Sequence, residues 1–176
     1  MPLSVKGYHG TTLAAWNSLD QGGMSSFRLS RRKGDWLGDG AYFWQDGPER
    51  ARIWAQNTHG GQIVVIGVDI QLDECLDLLD VPARQDLVNA YNAMRQDYLA
   101  QNQPLPTQTP TRHYLDRAVI EYHVHTMSRQ GVYIKCVRSP IDEGLAIYPD
   151  SAFHELAHIQ IAVRDISLIT NMWRHL

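Results

Sequence analysis

The sequence predicts an α+β fold, a single domain over residues 1–176 in which helices lie between groups of short strands. Short β-branched and aromatic runs occur towards both ends of the chain, apolar residues at helical spacing fill the middle, and no segment repeats. The 176 residues, 44% of them hydrophobic and 20% charged, suffice for one core without disulfides or a structural metal.

Local signals in the first half predict three strands and two helices. Thr12 can cap a helix that ends at Gly22, and Pro48 is suited to the first turn of a second helix. The polar, glycine-containing residues 24–40 lack periodicity and predict a long loop. The predicted strands are 5–9, 41–44 and 62–70.

The second half predicts a helical segment inserted at 82–130 and three closing strands. Apolar residues follow helical spacing over 87–99 and 114–127, and the proline-containing stretch 101–111 predicts a loop between these helices. The closing strands are predicted at 132–137, 143–148 and 157–163.

Charge and composition exclude several classes of protein. A net charge of −3 argues against broad electrostatic capture of nucleic acid, although a cationic stretch at 28–33 leaves a local patch open. No apolar run approaches the roughly 20 residues of a membrane-spanning helix. We therefore expect no membrane partner. Without an export signal, Cys75 and Cys136 are expected to be free thiols in the cytoplasm.

Two short segments are the best candidates for a binding site. The first is Tyr-His-Gly-Thr-Thr at 8–12, where a glycine lets a ligand approach the backbone and His9 offers a donor to a sugar hydroxyl. The second is Gly-Asp-Gly-Ala-Tyr-Phe-Trp at 38–44, where Tyr42 can present a flat ring to a flat ligand. These residues are equally compatible with a turn histidine and a core tyrosine.

In order and spacing, residues 8–55 resemble the His-Tyr-Glu branch of the ADP-ribosyltransferase superfamily, which includes diphtheria toxin and the poly(ADP-ribose) polymerases. The segments 36–44 and 158–161 are most similar to bacterial ADP-ribosyltransferase-like toxins that read Trp-Leu-Gly-x-Gly-x-Tyr-Phe-Trp and His-Ile-Gln-Ile. This resemblance implies split mixed β-sheets around an NAD cleft. It implies a mono-ADP-ribosyltransferase that needs no metal.

The resemblance also implies residue roles. His9 would bind the 2′-hydroxyl of the nicotinamide ribose, Gly10 the carboxamide through its backbone, with Thr11 completing that motif, and Tyr42 would stack on the nicotinamide. The branch's glutamate, which stabilises the oxocarbenium-like transition state, is assigned to Glu143. Two alternatives to this third residue stay open, Glu155 and Gln160.

Further expectations concern the rest of the site and its partners. Arg50 stands near the position of a serine that holds the nicotinamide amide in polymerases. Two expectations follow: either the Gly10 backbone alone recognises the amide, or Arg50 faces a phosphate. Trp36 is expected against the adenine or the acceptor. The four cations Arg28, Arg31, Arg32 and Lys33 could hold a pyrophosphate or a nucleic-acid acceptor.

Residues 138–142 would be the loop that meets the acceptor, which is a nucleic acid or a protein. A bacterial toxin of a toxin–antitoxin or phage-defence system, restrained by an inhibitory protein, is the expected setting.

Two rival functions remain. His154 to His158 reads His-Glu-Leu-Ala-His, the zinc-hydrolase pattern, which requires a helix to bring both imidazoles to one metal. The β-branched residues that follow favour a strand instead. The second rival function is that of a catalytically inactive module that binds NAD or ADP-ribose.

Overall fold

The computed structural model describes residues 3–176 and confirms a mixed α+β architecture. The strands are β1 Ser4–Thr12, β2 Ala41–Gln45, β3 Ile63–Gln71, β4 Cys75–Asp77, β5 Cys136–Ile141, β6 His158–Val163 and β7 Ile169–Arg174. The helices are α1 Leu13–Gly22, α2 Pro48–Thr58, α3 Val81–Ala100 and α4 Tyr114–Arg129. No helix within residues 3–176 has the length and apolarity to cross a membrane.

All seven strands form one mixed sheet in the order β4-β5-β6-β2-β1-β3-β7. Among the strand pairs of residues 3–176, only β4 and β5 are parallel. At the centre, β1 pairs with β2 only at Gly7–Gln45 and Tyr8–Trp44, whereas β1 pairs with β3 along its whole length. The two separate sheets expected from the sequence are therefore joined, through a narrow seam beyond which β1 and β2 diverge.

Local sequence signals explain the helices and strands of the first half. Thr12 caps α1, because its hydroxyl accepts the backbone N–H of Ala15 at 3.2 Å, and Pro48 opens α2. Strand β3 is apolar from Ile63 to Val68, where both of its faces are covered. Val64 and Ile66 join the largest core cluster, and Val65 packs on the other face with Tyr8, Trp44 and Ala51.

The predicted strand at 143–148 is wrong. This segment has no sheet neighbour and pairs only with a nearby turn, through the bridge between Ala146 and His154. The preceding strand is Cys136–Ile141 rather than 132–137, so the segment 138–142, expected to be a loop, belongs to β5 except for its last residue. Strand β7 was not predicted, since its exposed Thr170 and Asn171 interrupt the apolar pattern at this edge of the sheet.

Helices α3 and α4 occupy the middle of the chain, as the apolar spacing predicts. They pack together around Ala90, Met94 and Val119. Helix α4 also contacts the rest of the fold, because Ile120 joins a cluster that contains Leu37 of the long loop. The helical segment is thereby tied to the loop that precedes β2.

Candidate functional site

A cavity of about 970 Å³ opens where β1 and β2 diverge. This volume lies within the range of small-molecule and cofactor sites, which is about 300–1,000 Å³. Its wall includes His9 and Thr11 from β1, Tyr42 and Trp44 from β2, Arg50 and Trp54 from α2, and His158 and Gln160 from β6. Trp36, Arg28 and Arg32 come from the long loop, and Glu143 follows β5.

His9 and Tyr42 are joined by a hydrogen bond across the diverging strands. His9 Nδ1 lies 2.9 Å from the carbonyl oxygen of Tyr42. A carbonyl can only accept, so Nδ1 carries the proton and Nε2 is a lone-pair acceptor in the neutral ring. Burial lowers the pKa of His9, against the opposing effect of this hydrogen bond, and favours that neutral ring. The neutral His9 thus offers Nε2 as an acceptor to a sugar hydroxyl, rather than the donor expected from the sequence.

The hydroxyl of Tyr42 makes two hydrogen bonds to the backbone. It donates to the carbonyl oxygen of Gly38 at 2.6 Å and accepts the N–H of Leu37 at 3.0 Å. Burial raises the pKa of Tyr42 well above its ordinary value, so the phenol stays neutral. What this residue can offer a ligand in the cavity is therefore its ring.

Helix α4 holds the loop that anchors Tyr42. Glu121 accepts two hydrogen bonds from Arg164, at 2.8 and 3.0 Å, and a third from the backbone N–H of Asp39 at 2.6 Å. Gly38 has a φ of +79°, and a Cβ there would lie 2.2 Å from the Glu121 carboxylate. A side chain here would be strained at this φ and would displace the Glu121 carboxylate. Arg117 completes the contact by pairing with Asp39.

Trp36 is fixed by stacking rather than free in the loop. The centroids of the Trp36 and His113 rings lie 3.6 Å apart, with an interplanar angle of 33°. His113 precedes the first residue of α4. Trp36 therefore lines the cavity while contacting the inserted helices. Its predicted contact with adenine or the acceptor stays a prediction.

Two of the three candidates for the third catalytic position line the cavity. Glu143 lies in the loop after β5, where Oε2 accepts a hydrogen bond from Arg50 Nη2 at 2.7 Å. Gln160 lies on β6 opposite Trp44. Glu155 is outside the cavity wall, and its Oε1 accepts the backbone N–H of Leu145 at 3.3 Å. Arg50, expected to face a phosphate, is already paired with a carboxylate and lies 5.4 Å from the Trp44 ring.

His158 is a cavity residue to which the sequence gave no role in the NAD site, although it belongs to both the rival zinc motif and the His-Ile-Gln-Ile segment. Its side chain is 7% exposed, and Nδ1 donates to the carbonyl oxygen of Leu156 at 2.7 Å. Burial lowers its pKa, so the neutral ring has a lone pair on Nε2. Nε2 has no partner within the described chain, and neither do the nearby buried nitrogens Trp44 Nε1 and Arg50 Nε. Unpaired buried polar atoms of this kind are uncommon, and all three belong to residues of the cavity wall.

Gly10 has a packing role that the sequence did not reveal. A Cβ there would lie 2.2 Å from the carbonyl oxygen of Ala51 and 2.8 Å from the Ala55 side chain. The absence of a side chain thus allows α2 to pack on β1. Gly10 is not among the residues of the cavity wall, and its contact with a carboxamide stays a prediction.

The His-Glu-Leu-Ala-His segment does not form the helix that the zinc-hydrolase pattern requires. His154 forms the isolated bridge with Ala146 and pairs with Asp142, while His158 begins β6. Within residues 3–176, no group of three or more histidine, cysteine and carboxylate side chains is arranged to hold a metal. The helix that would bring both imidazoles of the zinc-hydrolase pattern to one metal ion is therefore not formed.

The cations of the long loop are all exposed. Arg28 and Arg32 line the cavity, and no side-chain ion pair engages Arg28, Arg31, Arg32 or Lys33 among the described residues. This rim is available to an anionic group.

The sequence-predicted residues that meet around one cavity are His9, Thr11, Arg28, Arg32, Trp36, Tyr42, Arg50, Glu143 and Gln160. Glu121, Arg164 and His158 were missed as site residues, since no local motif marks a contact between residues so far apart in sequence. In comparisons with protein-family models, curated proteins and solved structures, no match to this chain was found.

Proposed function

We propose that this protein is a mono-ADP-ribosyltransferase that cleaves NAD and passes ADP-ribose to a macromolecular acceptor. One observation carries the proposal. His9 and Tyr42, the two residues of clearest resemblance to the superfamily, are hydrogen-bonded to each other at the wall of one large cavity.

The geometry of these two residues suits the nicotinamide riboside end of NAD. Tyr42 has its hydroxyl tied to Gly38 and Leu37, which leaves the ring to stack on nicotinamide. His9 has its proton on Nδ1, which leaves Nε2 to accept a hydrogen bond from the ribose 2′-hydroxyl. Arg28 and Arg32, on the loop side of the same cavity, are suited to the diphosphate.

In the proposed reaction, the bond between nicotinamide nitrogen and ribose C1′ breaks and its electron pair stays on the nitrogen. The positive charge that develops on the ribose is stabilised by a carboxylate in the cavity wall. Glu143 fits this role better than Gln160, because only Glu143 carries a charge. A nucleophilic atom of the acceptor then bonds to C1′, and its proton passes to Glu143 and on to water.

The resemblance to bacterial toxins supports a setting for this reaction. We infer that the protein is a toxin or phage-defence effector held inactive by an inhibitory partner. Induced expression is expected to arrest growth of a bacterial host, and Tyr42→Ala is expected to abolish the arrest. Arrest by an equally expressed Tyr42→Ala protein would contradict this inference.

The function is tested by incubating the protein with a bacterial lysate and NAD labelled in its adenylate portion. We expect labelled macromolecules together with an equal amount of free nicotinamide. Omitting the lysate should leave only slow release of nicotinamide into water. Absence of both products over a range of protein and NAD concentrations would contradict the proposal.

A non-catalytic NAD-binding module is the second candidate, and the Arg50–Glu143 ion pair favours it. This pair, at 2.7 Å, occupies the carboxylate that the reaction needs. Such a module would bind NAD, measurable by calorimetry, and release no nicotinamide. Arg50→Ala separates the two functions, because it frees Glu143 in the enzyme and creates no activity in the module.

A further inference from the structure

A second surface lies beside the cavity and is unusually apolar. Residues 143–156, here termed the apolar hairpin, follow directly from Glu143 of the cavity wall. Four large side chains of this hairpin are more than half exposed: Leu145 (75%), Ile147 (52%), Tyr148 (56%) and Phe153 (67%). Contiguous exposed apolar side chains commonly mark an interaction site.

The apolar hairpin is held by its own backbone hydrogen bonds. The N–H of Ile147 donates to Phe153 at 3.0 Å, that of Glu155 to Leu145 at 2.9 Å, and that of Leu156 to Glu143 at 3.0 Å. A turn closes its tip, where the N–H of Ser151 donates to the carbonyl oxygen of Tyr148 at 3.0 Å. The exposed side chains are thus presented by a defined backbone.

The pairing places three apolar side chains on one face. Ala146 and His154 form the antiparallel bridge, so Leu145 lies opposite Glu155 and Ile147 lies opposite Phe153. Residues two apart on a strand point to the same face, and opposite residues share it. Leu145, Ile147 and Phe153 therefore form one apolar face that includes the carboxylate of Glu155.

Charge decides which class of partner this face fits. No lysine or arginine occurs between Arg138 and Arg164, whereas Asp142, Asp150 and Glu155 lie in or beside the hairpin. An acidic and apolar face repels the phosphates of a nucleic acid and attracts a cationic protein segment. The free cations lie elsewhere, in the long loop at 28–33.

We propose that the apolar hairpin docks a protein segment with lysine or arginine next to large apolar side chains, and that this segment carries the group to be ADP-ribosylated. The acceptor is accordingly a protein and not a nucleic acid. This inference rests on the proposed function for the transfer step. The docking itself follows from the exposed face and its charge.

Docking is tested without NAD, by fluorescence anisotropy with four labelled probes. The first is a synthetic peptide that alternates arginine or lysine with leucine or phenylalanine. Two peptides of the same length replace its cations by glutamate or its apolar residues by serine, and the fourth probe is single-stranded RNA. We expect only the first peptide to bind, more tightly at low salt than at high salt.

Variants assign the binding to the hairpin. The double variant Leu145→Ser/Phe153→Ser removes exposed side chains, leaves the core intact, and is expected to weaken peptide binding at least about tenfold. Leu99→Ser, at a residue 60% exposed on α3, is the matched control and should bind as the parent does. In the transfer assay, the double variant should raise the KM for the peptide and leave nicotinamide release into water unchanged.

Three results would overturn the inference. They are equal binding of the glutamate or serine peptide, hairpin-dependent binding of the RNA, and self-association of the protein that the double variant abolishes. Failure of the proposed function is a different result. If the protein binds the cationic peptide but never releases nicotinamide, the docking inference is supported and the proposed transferase function is contradicted.

Discussion

Glu121 and Arg164, 43 residues apart in the chain, form a two-point ion pair behind the wall of the candidate site, with N–O distances of 2.8 and 3.0 Å. The same carboxylate accepts the backbone N–H of Asp39, and Arg164 donates to the Asp39 carbonyl oxygen at 3.0 Å. These contacts fix the loop that carries Gly38, which in turn accepts the Tyr42 hydroxyl. The pair connects α4 to the ring expected to meet nicotinamide.

Glu121→Ala is expected to lower the free energy of unfolding by about 2 kcal/mol, because it leaves the half-buried Arg164 without its partner. It is also expected to weaken NAD binding, since the loop before Tyr42 loses its anchor. Urea denaturation and calorimetry measure the two effects. Glu49→Gln, at a surface pair with Arg52, is the control and should leave the free energy of unfolding nearly unchanged. Equal effects of the two substitutions would contradict the anchoring role.

Gly38→Ala tests the close approach of α4. The substitution puts a side chain at φ +79° and against the Glu121 carboxylate, so we expect a loss of at least about 2 kcal/mol in unfolding free energy. Gly60→Ala is the matched control, because nothing lies within 4 Å of its Cβ position. Thermal unfolding compares the two variants. A Gly38→Ala protein as stable as Gly60→Ala would contradict the described packing.

Substitutions of Tyr42 separate its ring from its hydroxyl. Tyr42→Phe leaves the Gly38 carbonyl and Leu37 N–H without their partner and should cost about 1–2 kcal/mol of stability. It keeps the ring, so nicotinamide release should stay within about tenfold of the parent rate. A Tyr42→Phe protein that folds fully but is as inactive as Tyr42→Ala would show that the hydroxyl itself takes part in the reaction.

The identity of the third catalytic residue gives a separate prediction. Glu143→Gln keeps the shape of the side chain and removes its charge, and should lower the rate of nicotinamide release by about a hundredfold or more. Gln160→Ala should have a smaller effect, mainly on the KM for NAD. Rapid-quench or steady-state assays of nicotinamide distinguish the two. Full activity of Glu143→Gln with loss of activity in Gln160→Ala would transfer the role to Gln160.

Stability is expected to fall as the pH drops below about 6.5. Burial lowers the pKa of both His9 and His158 in the folded protein, so the unfolded chain binds protons first as the medium is acidified. These groups contribute no pH dependence above that range and a loss of unfolding free energy between pH 6.5 and pH 5. Urea denaturation at several pH values measures it, and His158→Gln should show a shallower loss. Rising stability over this interval would contradict the burial of the two rings.

The sequence predicted the first half of the fold because its signals are local. Thr12 caps α1 and Pro48 starts α2, and both act within one helical turn. The strand predicted at 143–148 failed because Glu143 to Tyr148 has suitable residues but no neighbouring strand. Strand β7 was missed for the opposite reason. Polar residues such as Asn171 give it no strand pattern, but pairing with β3 at the sheet edge makes this segment a strand.

The candidate site was predictable to the extent that short motifs mark it. His9 and Tyr42 belong to such motifs, and in the structure a hydrogen bond joins them. Glu121 carries no motif, because its role depends on a contact with Asp39 from 82 residues away. The tautomer of His9 likewise depends on the carbonyl of Tyr42, which no pattern of residue types reveals.

The central claim is tested most directly by the rate at which purified protein releases nicotinamide from NAD, measured by chromatography for the parent, His9→Ala, Tyr42→Ala and Tyr133→Ala. Tyr133 is 61% exposed and absent from the cavity wall, and serves as the matched control. We predict release by the parent and by Tyr133→Ala, and a loss of about a hundredfold or more in the other two folded variants. Release at the parent rate by folded Tyr42→Ala and His9→Ala, or no release by the parent, would contradict the account.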